Sequence, residues 1–312
     1  MKNKIFYSIA GILVVCALTY YFLNQDRSIE QKVLGSSINA FYSNKLMTLS
    51  SPPKKKDGAS DPQVYSQSAV LIYEPNKYVL YSKNENASVP IASITKIMTA
   101  AVALDIYKLS DVVTVGEEST EVIGSKIFLK KGEKITVENL LYGLLMNSGN
   151  DAAMALSSGK VTKDEFVVLM NKKAREIGLS ENTKFKDPAG LDDSGRSTAR
   201  DIALLFAYDL KNETFKKIVN TAEYSIISVD GGETHDLKNS NRITTGEIPL
   251  EGVIGGKTGF TPDAGHTLVC AASRDDSTII AVILKTNQDT TTASAEEARK
   301  LLTWGFDSYI FK

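Results

Sequence analysis

Two sets of short apolar runs, separated by a long helical stretch, set the tightest limit on how this chain can fold. Ser68–Glu74 (SAVLIYE) and Tyr78–Ser82 (YVLYS) alternate in character and join at EPNK, the pattern of a β-hairpin. Far downstream, Gly252–Lys257, Thr267–Ala272 and Thr278–Lys285 are short, apolar and bounded by Gly, Asp or Pro, as strands are. Between the two sets, Ser93–Leu104, Val137–Leu156 and Lys163–Ile177 repeat apolar residues at spacings of three and four, and Thr198–Leu210 opens on a Ser/Thr cap signal. Glu296–Tyr309 follows as an amphipathic helix. The order predicts an α/β (α+β) domain: one antiparallel sheet completed from both ends of the domain, flanked by helices, with a helical insertion between.

The 312 residues exceed the usual size of a single domain, and one folded domain plus a tail is the economical reading. With 43% hydrophobic and 23% charged residues the chain can bury a full core, which excludes disorder for its bulk. Thirty-six Lys plus Arg against 37 Asp plus Glu leave a net charge of -1, so no footprint for a phosphate backbone exists and nucleic acid is not an expected partner. Cys16 and Cys270 are far apart, so no disulfide is expected. Neither a CxxC pair nor an HExxH helix is present, so no metal or cofactor is expected, and His235 and His266 are assigned structural or surface roles.

After Lys2 and Lys4, residues 5–23 carry no charge and are about long enough to cross a bilayer as a helix. The preceding lysines place the N-terminus in the cytoplasm and the rest outside. Without an A-x-A-like site after the run, and with Val15 before Cys16, an uncleaved anchor is preferred to a cleaved signal or a lipoprotein signal. Residues 24–64 lose apolar periodicity and end in SSPPKKKDGASDP, so they are assigned to a linker, leaving 65–312 as the folded domain. Forty flexible residues would span roughly 35 Å.

Three short motifs carry chemistry. Ser93-Ile94-Thr95-Lys96 opens a helical run, and a spacing of three puts the hydroxyl and the amine on one face. A neutral Lys96 could then take the proton from Ser93, which requires burial or a nearby cation to lower its pKa. Alone, the motif reads far more often as a helix cap followed by a solvated lysine. Ser148-Gly149-Asn150 interrupts two helical stretches, as an ordinary helix-helix turn would. In a cleft, Ser148 could relay a proton to a leaving amine while Asn150 bonds Lys96 and a substrate carbonyl. Lys257-Thr258-Gly259 is read as the end of an apolar strand, where Gly259 clears the edge for a substrate, and Lys257 and Thr258 face its carboxylate.

The order S-x-x-K, S-x-N, K-T-G belongs to penicillin-binding proteins and class A β-lactamases. IASITKIMTA, KIFLKKGEKITVENLLYGLLMNSGNDAAMAL, DPAGLDDSGRSTARDIALL and GGKTGFTPDAGHTLVCAASRD resemble the low-molecular-mass D-alanyl-D-alanine carboxypeptidases, over about residues 65–312. The resemblance implies a β-lactamase/D,D-peptidase-like fold, acylation of Ser93 by peptidoglycan stem peptides, loss of the terminal D-alanine, and β-lactams as inhibitors. It assigns the oxyanion hole to the backbone N–H groups of Ser93 and Phe260, and matches Arg242 to a basic residue near the site. Two departures stand out. Family members often continue into a β-rich second domain with an anchoring helix, a role that falls to the N-terminal segment in this chain. Some carry an arginine where this chain has Ser294, so the carboxylate contact is assigned to Thr258. A β-lactamase is disfavoured because the E-x-x-L-N element is missing, Glu165–Asn171 having the wrong spacing. A silent wall-binding or sensing protein would have lost an essential group, and every expected group is present.

Overall fold

The computed structural model describes residues 51–286 and 290–311. The apolar run 5–23 and the linker up to residue 50 lie outside these. Among the described residues no helix is long and apolar enough to cross a membrane.

The chain forms β1 (Lys54–Lys55), β2 (Ser68–Tyr73), β3 (Tyr78–Lys83) and β4 (Val89–Pro90), then a 3-10 turn at Ala92–Thr95 that runs into α1 (Lys96–Ile106). The helical insertion holds β5 (Val112–Thr114), α2 (Glu117–Thr120), β6 (Lys134–Thr136), α3 (Val137–Leu145), α4 (Asn150–Ser158), α5 (Lys163–Ile177), β7 (Arg196–Ser197), α6 (Ala199–Asp209) and α7 (Glu213–Val219). After it come β8 (Glu223–Ile227), β9 (Thr234–Lys238), β10 (Val253–Thr261), β11 (Gly265–Arg274), β12 (Ser277–Thr286), α8 (Ala293–Ser308) and β13 (Tyr309–Ile310).

The central sheet has the order β10-β11-β12-β2-β3 and is antiparallel throughout, with Ile280 opposite Ile72 and Cys270 opposite Ala281. Strands from the two ends of the domain therefore meet at β12 and β2, as expected. The period of two decides which side chain enters which core. Val70, Ile72, Val269, Ala271, Ile280 and Val282 join the core with the insertion helices. Their neighbours Ala69, Leu71, Leu268, Cys270, Ile279 and Ala281 join a second core with Ala298, Leu301 and Leu302 of α8. Both faces are covered, which is why β2 is buried at every position. A Cβ on Gly305 would lie 2.6 Å from Leu71 Cδ2, so α8 approaches the sheet at a distance only glycine permits. Helix α1 is buried over Lys96–Ala103, a stretch that is accordingly apolar on all sides apart from Thr99 and the charged Lys96.

The structure departs from the sequence expectations at three places. Strand β10 does not end at the KTG motif but continues to Thr261, because pairing with β11 carries Lys257 (opposite Val269), Thr258 (opposite Leu268) and Gly259 (opposite Thr267) as ladder residues. A second hairpin, β8–β9, was not anticipated, although its Asp230-Gly231-Gly232 turn sits between alternating runs. The last part of the segment assigned to the linker is ordered: Lys54 and Lys55 pair with Ile310 and Tyr309, and Trp304 Nε1 donates to Ser60 O at 2.7 Å. The folded unit begins at Pro52.

A chain starting at Pro52 should therefore be more stable than one starting at Val64. Removing the β1 pairing and the Trp304 hydrogen bond forfeits about 1 kcal/mol for each bond lost, so the shorter chain should melt several degrees lower by differential scanning calorimetry. Equal midpoints would show that residues 52–63 contribute nothing to the fold.

Candidate active site

Ala92, with φ of +47°, starts the tight turn that carries Ser93 into helix α1. Lys96 then stands one turn on, and its Nζ lies 2.8 Å from Ser93 Oγ. The amine has two further partners, Asn150 Oδ1 at 2.7 Å and the Ala189 carbonyl at 2.8 Å. Asn150 has one consistent orientation, since its Nδ2 donates to Ile123 O at 2.6 Å and leaves Oδ1 for the lysine.

Both carbonyl-type partners can only accept. A neutral amine has two N–H bonds and one lone pair, so satisfying Asn150 and Ala189 turns the lone pair towards Ser93 O–H. Burial brings Lys96 to this state by lowering its pKa from 10.5 to about 7, against the opposing pull of Asp187 and Asp151. From the sequence, the nearby cation was expected to share in this shift. The two amines disfavour each other's charge, and the pKa of Lys257 is also driven well below its ordinary value, by burial and by Lys96.

Two loops hold the amine's partners. Asp151, fully buried, accepts from the backbone N–H groups of Ile127, Leu129 and Ala152, while Asn150 N donates to Ser125 O at 2.7 Å. Asp187 accepts from the N–H groups of Ala189 and Gly190, both at 2.7 Å, and from those of Leu191 and Asp192, wrapping the loop that presents Ala189 O. Gly190, at φ of +78°, is required there, because a Cβ would fall 2.0 Å from Ala92 O. Thr99 Oγ1, on α1, donates to Pro188 O at 2.6 Å and ties this loop to the helix that carries the lysine.

The opposite wall is β10, an edge of the sheet. Lys257 is fully buried and donates to Ser148 Oγ at 3.0 Å and to Thr258 O at 2.9 Å. Ser148 holds the left-handed backbone, φ of +58°, that aims its hydroxyl at this lysine. Gly259 lies against the 3-10 turn, where a Cβ would come within 3.0 Å of Ile91 O and 3.1 Å of Ser93 N. Thr258 Oγ1 is 2.7 Å from Ser240 Oγ. Phe260 is 57% exposed, with its ring 4.5 Å from that of His266.

The structure thus joins Ser93, Lys96 and Asn150 in one hydrogen-bonded set and Ser148 with Lys257 in another, and it packs Gly259 against Ser93. Arg242 is instead engaged by Glu247 at 3.1 Å and Thr291 at 3.4 Å. Ser294 is buried in α8. His235 is buried against Glu133 at 2.8 Å. Sequence reasoning missed Ala189, Asp187, Asp151, Gly190 and Ser240. Of these, only the DPAG run offered a signal, as a turn-forming stretch within the region of resemblance.

The family model described as D-alanyl-D-alanine carboxypeptidase matches residues 55–288. The chain belongs to this family. It is 36% identical to the Bacillus subtilis D-alanyl-D-alanine carboxypeptidase DacF over 82% of this chain and 66% of that protein. A Pseudomonas aeruginosa D-alanyl-D-alanine endopeptidase is 34% identical over 75% of this chain and 76% of its own length. Among solved structures, a Streptomyces DD-transpeptidase superposes with a TM-score of 0.74 at 30% identity, covering 80% of this chain and 99% of that one. The chain spans 62–66% of the length of three of its carboxypeptidase relatives. The β-lactamase/D,D-peptidase-like fold expected from the family motifs is the one observed.

Any reaction in which neutral Lys96 takes the Ser93 proton should rise with pH through a midpoint near 7, read from its rate constant across pH. The same shift fixes a sign for stability. Between about 7 and 10.5 the unfolded chain holds a proton that the folded lysine lacks, so stability at this group should increase with pH over that window. Replacing Lys96 with Ala should slow such a reaction roughly 100- to 10,000-fold and remove the midpoint.

Proposed function

We propose that this protein is a serine-type D,D-carboxypeptidase that removes the terminal D-alanine from peptidoglycan stem pentapeptides through an acyl-enzyme that β-lactams also form. The observation that carries the reading is the buried Lys96 amine, shared among Ser93 Oγ, Asn150 Oδ1 and Ala189 O. A lysine held neutral with its lone pair on a serine hydroxyl is a general base already in place.

Lys96 takes the Ser93 proton as Oγ attacks the carbonyl of the penultimate D-alanine. The resulting oxyanion sits between the backbone N–H groups of Ser93 and Phe260, which the contact of Gly259 with Ser93 N brings near one another. Ser148, hydrogen-bonded to Lys257, passes a proton to the departing D-alanine nitrogen as the C–N bond breaks, and the proton that Lys96 took from Ser93 replaces it. Water, giving a proton to the again neutral Lys96, then attacks the ester, and that proton passes to Ser93 Oγ as the C–O bond breaks and Ser93 is freed. The outer edge of β10 lets the peptide lie as an added strand, and Thr258 with Ser240 offers a pair of hydroxyls to its terminal carboxylate. Arg242, two residues beyond Ser240, contributes charge near this end once released from Glu247.

Residues 5–23 anchor the chain in the cell membrane as a single span and the segment after them tethers the enzyme, so catalysis takes place outside the cytoplasm. Glu165, the nearest candidate for a β-lactamase-type base, is the third helical residue of α5, and its carboxylate accepts from Thr162 N in a capping box. That capping role supports slow clearance of a β-lactam adduct rather than turnover.

Labelled penicillin should attach to Ser93 and persist for minutes or longer, while the same enzyme releases D-alanine from a pentapeptide ending in D-Ala-D-Ala; Ser93→Ala should abolish both. Mass spectrometry of the products decides among the alternatives. Rapid penicillin hydrolysis without D-alanine release would indicate a β-lactamase, and a stable adduct without peptide hydrolysis would indicate a sensor.

A further inference from the structure

The outer edge of β10 is held at two points, with Phe260 between them. On one side Gly259 rests against Ile91 O and Ser93 N. On the other, Thr261 Oγ1 donates to Asp193 Oδ1 at 2.7 Å and accepts from Ala264 N at 3.1 Å. Asp193 reaches across from the loop that also supplies Ala189 O to Lys96. Its base is rigid, because the carboxyl of Asp187 accepts from the backbone N–H groups of residues 189–192, and Ser194 N and Gly195 N close back onto Asp192. The Thr261 hydroxyl has thus given its proton to the neighbouring loop and taken the amide that closes the Thr261–Gly265 turn.

We infer that Asp193 is a positioning residue: through Thr261 it fixes the end of β10 and so aims the Phe260 backbone amide at the oxyanion. The inference rests on the proposed role of that amide. An oxyanion donor works only when held within a few tenths of an ångström of its target, and β11 alone, pairing from the far side, leaves the outer edge free to tilt. Asp193 acts on this donor and not on the base, since Ala189 O is set by Asp187 and by Thr99 on Pro188. Its loss should slow bond formation and spare both substrate affinity and the Lys96 ionisation.

The test compares wild type, Asp193→Ala and Asp193→Asn in three measurements: the rate and affinity of acylation by labelled penicillin across pH, D-alanine release, and hydrogen exchange at the Phe260 amide of the free protein. Asp193→Ala should acylate on the order of tenfold more slowly, short of the loss from deleting a donor outright. Affinity and the midpoint near 7 should be unchanged, and the Phe260 amide should exchange faster. Asp193→Asn keeps an acceptor for Thr261 and should restore the rate. If Asp193→Ala does not fold, Thr261→Val against Thr261→Ser gives the same contrast. Unchanged rates and exchange in Asp193→Ala, equal loss in the Asn variant, or a displaced pH midpoint would each overturn the inference. A wild type that neither releases D-alanine nor takes up penicillin would overturn the proposed function instead, and the exchange at Phe260 would then decide the Asp193 contact alone.

Discussion

The rest of the site depends on one buried amine. Removing the Lys96 ammonium from water costs more than its hydrogen bonds return unless the proton leaves, so burial by itself turns a lysine into a base. Its three partners come from three separate parts of the chain: the turn before α1, the start of α4, and the 187–195 loop. Each must arrive at one point, and much of the unusual backbone nearby follows from that demand. Ala92 and Ser148 hold positive φ, and Gly190 stands where no side chain fits. Such strain persists because surrounding packing and hydrogen bonds over-determine it.

The sheet supplies the second half. Covered on both faces, it is stiff, and its exposed edge at β10 can be laid against the 3-10 turn with little freedom to move. Lys257, in that strand, is the second buried lysine. Two cations cannot share this volume, and the repulsion contributes to the lowered pKa of Lys257. The arrangement therefore couples two buried amines, one bonded to Ser93 and one to Ser148.

Much of this was legible in the sequence, because it is written in side-chain periodicity. The first hairpin shows as two short runs joined at EPNK, Lys163–Ile177 matches α5 from end to end, and S-x-x-K places its two groups by helical spacing alone. What stayed hidden is carried by backbone or by distant pairing. Ala189 contributes a carbonyl, which no residue type announces, and Asp187 and Asp151 act by collecting backbone N–H groups. Strand β10 runs through Lys257 and Gly259, poor strand formers that are enlisted by the ladder with β11. Lys54 and Lys55 have no apolar pattern, yet β13 gives them a partner about 250 residues away.

With its pKa lowered to about 7, Lys96 should be half-deprotonated near neutral pH in the free protein, before any substrate binds. Carbon-13 labelling of the lysine ε positions, followed by NMR through a pH titration, reads this directly, with the Lys96 signal identified by its loss in Lys96→Ala. That signal should titrate with a midpoint near 7. A Lys96 midpoint at the ordinary 10.5 would leave the amine charged at working pH and contradict its assignment as the base.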